Sequence, residues 1–116
     1  WDFSRAAARA LADALPLLTA ASAVHLVCVS DEKDVEDRDP ELIAAHLKRH
    51  DVDFAYTEVR AAGRSIHDAI RGYAVDVSSD LLVMGAFGHS RLRQFVLGGA
   101  TRSVLEAPYM PTLLVH

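Results

Sequence analysis

Apolar residues recur along positions 4–20 at intervals of three and four: Ala7, Ala8, Leu11, Leu15 and Leu18. That spacing places them on one face of a helix, and Ser4 has the side chain to cap its start. Pro16 removes one backbone donor and is expected to kink the last turn. Residues 23–29, Ala-Val-His-Leu-Val-Cys-Val, are almost continuously apolar and rich in β-branched side chains. Such a run predicts a strand covered on both faces, as in a parallel sheet. Ser30–Asp39 is rich in acids and lacks an apolar pair, which predicts a solvated loop. Pro40 stands at an expected first helical position, and Leu42, Ile43 and Leu47 open a second helix.

Residues 52–59 alternate, with Val52, Phe54 and Tyr56 against Asp53, Ala55 and Thr57. This predicts a less buried strand at a sheet edge. Ser65 followed by Asp68 resembles a capping box, and Ile66, Ala69, Ile70, Tyr73, Ala74 and Val77 mark the inner face of a third helix. Residues 80–84, Asp-Leu-Leu-Val-Met, predict a short buried strand ended by Gly85. A glycine-rich loop then runs to Gly99, a helix follows to about Ala107, and Thr112–Val115 is a final strand. Strands alternating with helices in this way imply a single α/β domain with a parallel sheet.

Composition narrows the functional classes. The net charge of −4 argues against a nucleic-acid partner, which wants a basic face. No apolar run is long enough to predict a membrane-spanning helix. A single cysteine, Cys28, cannot form an internal disulfide, and the expectation is a buried, inert thiol in a cytoplasmic protein. The only methionines are Met84 and Met110, which reads as a domain over 1–116 truncated at its amino terminus.

The segment from Gly85 to Thr101 carries the most chemistry. Its glycines are spaced Gly85-x2-Gly88-x9-Gly98, with Gly99 next, between a buried strand and a helix. Ligands of open α/β sheets bind at the carboxyl ends of the strands. Glycines there let backbone amides approach phosphate oxygens, and a helix start offers free N–H groups to an anion. His89, Arg91 and Arg93 follow Gly88 and are candidates to reach phosphates, or are simply solvated.

These motifs resemble the universal stress protein family, whose nucleotide-binding members carry G-x2-G-x9-G followed by Ser or Thr after a strand of the Asp80–Met84 type. Trp1-Asp2-Phe3-Ser4 is similar to the end of the family's first strand, usually Asp-Gly-Ser, and residues 111–115 are similar to its last. The resemblance implies an open, five-stranded parallel sheet of order 3-2-1-4-5 with helices on both faces, Rossmann-like, its first strand largely absent from this chain. It implies ATP at the strand ends, near Asp2, Val29, Gly85, Gly88, Gly98 and Thr101; His89 and Gly99 join this candidate set by their place in the loop, and Mg²⁺ is a candidate companion for the hydrolase alternative. It also implies pairing of last strands, in a homodimer or with a sister domain. Two positions depart from the pattern: Gly99 stands where Ser or Thr is usual, and Phe3 replaces the glycine of Asp-Gly-Ser. The Gly98-Gly99-Ala-Thr variant resembles the carboxy-terminal half of tandem family members.

Other clusters carry less. His46 and His50, four apart on one helix, have metal-clip spacing, but they project between Leu42, Ile43 and Leu47 and no third ligand accompanies them. They read as packing histidines, and no metal site is expected. Asp31, Glu32, Asp34, Glu36 and Asp37 lack the spacing of a calcium loop. No Walker motif, nucleophile elbow or triad is present, so no catalytic residue is expected. The functional expectation is a nucleotide-responsive stress-response module. The alternatives are a non-binding interaction domain and a slow Mg-dependent nucleotide hydrolase.

Overall fold

The computed structural model describes residues 1–30, 40–86 and 99–116. Four helices alternate with four strands in chain order: α1 (Arg5–Ala20), β1 (His25–Ser30), α2 (Glu41–Arg49), β2 (Ala55–Arg60), α3 (Ile66–Asp76), β3 (Leu82–Gly85), α4 (Gly99–Glu106) and β4 (Thr112–Val115). β1 pairs β2 and β3 pairs β4, both parallel, giving two two-stranded sheets. Among the described residues, β1 and β3 do not pair with each other.

α1 starts where Ser4 accepts a hydrogen bond from the Ala7 amide at 3.1 Å, and it continues through Pro16 to Ala20. Its buried side is Ala6, Ala7, Ala10, Leu11 and Ala14, whereas Ala8 is exposed. The small residues press on β3 and β4. Leu11, Leu15 and Leu18 instead join Ile43 and Leu47 of α2, Val52, Leu26, Phe54 and Trp1 in the main hydrophobic cluster. A single helix therefore packs on the β3–β4 sheet and, through its leucines, joins the cluster that α2 and Leu26 of β1 share.

Several local expectations shift. Pro40 is the residue before α2 rather than its first member. The second strand begins at Ala55, because Val52 and Phe54 anchor the cluster from the turn that precedes it. The inward phase then moves by one: Thr57 and Val59 are half-buried, and Tyr56 is exposed. β2 bonds β1 alone, so it is an edge strand of its sheet. Ser65 caps α3, its hydroxyl accepting from the Asp68 amide at 3.0 Å and donating to the Asp68 carboxylate at 2.7 Å. That bond holds the Asp68 carboxyl below its usual range. On the same helix, Tyr73 closes a polar chain, 3.0 Å from His25 and 2.9 Å from Thr57.

Candidate functional site

A cavity of about 290 Å³ lies between α1, α3, β1 and β3 and reaches the start of α4. Its interior wall is apolar, from Leu11, Leu26, Val27, Ile70 and Val83. At the carboxyl ends of the strands its lining is Asp2, Val29, Gly85, Gly99 and Thr101. The structure thus brings together five of the eight residues singled out in the sequence. Gly88, His89 and Gly98, with Arg91 and Arg93, lie outside the described residues.

The chain enters this region through Trp1-Asp2-Phe3-Ser4. The Trp1 backbone nitrogen donates to the Val27 carbonyl of β1. The Asp2 carboxylate accepts from the Ser4 amide at 3.0 Å, a short turn that leads into the helix cap. Phe3, between them, has φ of +60°. This left-handed conformation favours glycine and costs an L side chain roughly 1–2 kcal/mol. Phe3 retains it while its ring packs edge-on to Trp1 at 5.7 Å between centroids. The turn that Asp-Gly-Ser would make is made here against the preference of its central residue.

The two described glycines of the loop ends differ in kind. A Cβ on Gly85 would meet the Ala6 carbonyl carbon and the Ala7 amide nitrogen at 2.5 Å, so glycine is required where β3 passes under the first turn of α1. At Gly85 the space a Cβ would take is filled by the protein's own backbone. Among the described residues, a Cβ on Gly99 would meet nothing within 4 Å. Gly99 is exposed at the first position of α4, where the amides of a first turn lack helical partners. Thr101, one turn in, is 5% exposed.

His50 is exposed and Leu42 is 82% exposed, so the packing role expected for the histidine pair fails at His50; His46 is half-buried. Sequence reasoning gave no sign of Gly85's contact with α1, since the residues it meets lie at the far end of the chain. It also missed the apolar depth of the cavity, which two strands, α1 and α3 build together. Cys28 is buried and unpaired. No helix among the described residues is long and apolar enough to cross a membrane.

A family model described as the universal stress protein family matches residues 1–116. The universal stress protein Slr1230 of Synechocystis is 48% identical over 46 residues, which are 40% of this chain and 16% of that protein. The chain thus matches well under two thirds of that relative's length. Among solved structures, a universal stress protein in complex with cAMP superposes with a TM-score of 0.66 at 22% identity, covering 100% of this chain and 92% of that one. The hypothetical protein MJ0577 gives 0.64 at 28% identity, covering 98% and 90%. The universal stress protein UspA of Lactobacillus plantarum gives 0.68 at 18%, covering 99% and 92%.

Proposed function

The chain belongs to the universal stress protein family, and from that premise we propose that it is a nucleotide-binding regulatory module that takes ATP at the carboxyl ends of its strands. The observation that carries this reading is the shared cavity of Asp2, Val29, Gly85, Gly99 and Thr101 beside the start of α4. First-turn amides, which lack partners within the helix, and the helix dipole favour an anion there. The open space at Gly99 lets a phosphate approach the backbone. One structural relative was solved with an adenine nucleotide, cAMP. Among the described residues no group of three or more His, Cys, Asp or Glu could hold a metal. Mg²⁺ would then arrive on the phosphates and keep most of its water.

The same reading takes the fold to five strands in the order 3-2-1-4-5, an extended segment lying between β1 and β3, which now share only the cavity. It takes the outer edge of β4 to pair with a second copy or a sister domain, as uncovered edges do. It takes the setting to be cytoplasmic, where Cys28 stays reduced.

One observation favours a second reading, an interaction domain that binds no nucleotide: Gly85 is explained by its contact with α1 and needs no phosphate. Incubation of the purified chain with ATP and Mg²⁺, followed by mass identification of bound and released nucleotide, separates the two. Retained ATP without product supports the module. No retained nucleotide supports the interaction domain, and steady ADP release would make the protein a hydrolase.

A further inference from the structure

His46 and His50 close α2 on its solvent side. Their ring centroids lie 4.8 Å apart and the planes are tilted by 57°. Residues four apart on a helix point the same way, so the imidazoles converge while Lys48, two residues on from His46, projects to the opposite side. His50 is exposed and His46 is half-buried, so solvent reaches the pair. Among the described residues, neither ring has a hydrogen bond or ion pair to a neighbour, in contrast to His25, held by Tyr73 at 3.0 Å, and His67, buried edge-on to Tyr109.

The position adds a field. Both rings lie at the carboxyl end of α2, where the last carbonyls carry the negative end of the helix dipole, which favours a cation. Imidazole nitrogen suits Cu²⁺, Zn²⁺ and Ni²⁺ and is a poor partner for Mg²⁺ or Ca²⁺. The core face of α2 is taken by Ile43 and Leu47, so ligation would cost no buried packing.

We propose that His46 and His50 form a two-imidazole clip for a divalent transition-metal ion on the outer surface of α2. Each neutral ring gives one nitrogen and water completes the coordination. The site is separate from the strand-end cavity, whose lining includes neither histidine. Because the second ring binds in an already tethered complex, losing either one should weaken binding on the order of 100-fold.

The test is titration of Cu²⁺ into the 116-residue chain, with nitrogen couplings read by electron paramagnetic resonance. The parent should show two imidazole nitrogens. His46→Asn and His50→Asn should each show one and bind on the order of 100-fold more weakly, whereas His89→Asn and His116→Asn should keep both. Zn²⁺ should also raise the melting temperature of the parent and leave that of His50→Asn unchanged. Because His50 is exposed, that variant should keep the parent's circular dichroism. A parent spectrum dominated by oxygen ligands, as the acidic residues 31–39 would give, overturns the proposal. So does a two-nitrogen spectrum that survives in His46→Asn or His50→Asn.

Discussion

The β1–β2 and β3–β4 halves are both short parallel pairs, yet they are held by opposite means. Around β1 the protein uses volume: Leu47 is 1% exposed at the centre of a cluster with Leu11, Ile43 and Val52. Around β3 it uses proximity: Gly85 lets the backbone of α1 come so near that no Cβ fits, with Ala6 and Ala7 at the contact. Large side chains lose stability when they are cut down, and close backbone contacts lose it when anything is added. α1 takes part in both, so its sequence alternates between the two demands.

The sharpest test of the difference is Leu47→Ala. It should cost roughly 2–5 kcal/mol in denaturant unfolding, by lost transfer energy and the cavity left behind. Hydrogen exchange should quicken in β1 and β2 first; uniform loss of protection across β3 and β4 would mean that the halves do not differ. Gly85→Ala is the converse, one added methyl costing about 1–3 kcal/mol, with protection lost first in β3 and the start of α1. If this variant is as stable as the parent, the approach of α1 is looser than described.

Ser65→Ala reaches neither packing scheme and should cost about 1 kcal/mol through the lost cap of α3. It also removes the main cause of the low Asp68 pKa. Because that carboxyl is depressed in the fold, its contribution is complete above the unfolded pKa and is lost as pH falls through the folded one. NMR titration should place the Asp68 midpoint higher in Ser65→Ala than in the parent. The smallest effect on stability is expected of Gly99→Ser, within about 0.5 kcal/mol, because nothing obstructs the new side chain. Its consequence should fall on ligand instead. A hydroxyl bonded to a charged phosphate is worth about 1.5–3 kcal/mol, or roughly ten- to a hundredfold in ATP affinity by calorimetry. An unchanged affinity would detach ATP from the start of α4.

The alternation of helices and strands was legible because it rests on period: apolar runs at 23–29 and 80–84 led to β1 and β3 within a few residues. Tyr56 was misplaced because its alternation with Val52 and Phe54 is real in sequence, but those two belong to the turn that feeds the core. His50 was misplaced because a helical projection shows which residues share a face and not whether that face is covered. At the candidate site, residue types and spacing pointed to the strand ends. They could not separate a glycine needed by the fold from one left open, because that depends on which backbone passes overhead. Gly85 and Gly99 look alike in the sequence, and only their neighbours distinguish them.

The contact of α1 with β3 and β4 also sets a timetable. The helix nearest the start of this chain completes its packing against the last strand, and Arg9 donates to the carbonyl of His116 at 3.2 Å. During synthesis at about 5–20 residues per second, the roughly 90 residues separating α1 from β4 take on the order of 5–20 s to emerge. The alanine side of α1 meets β3 first and β4 only at the end of that interval, while its leucine side can already meet α2. The first half of the molecule can thus settle early, and α1 waits as the template on which the second half closes.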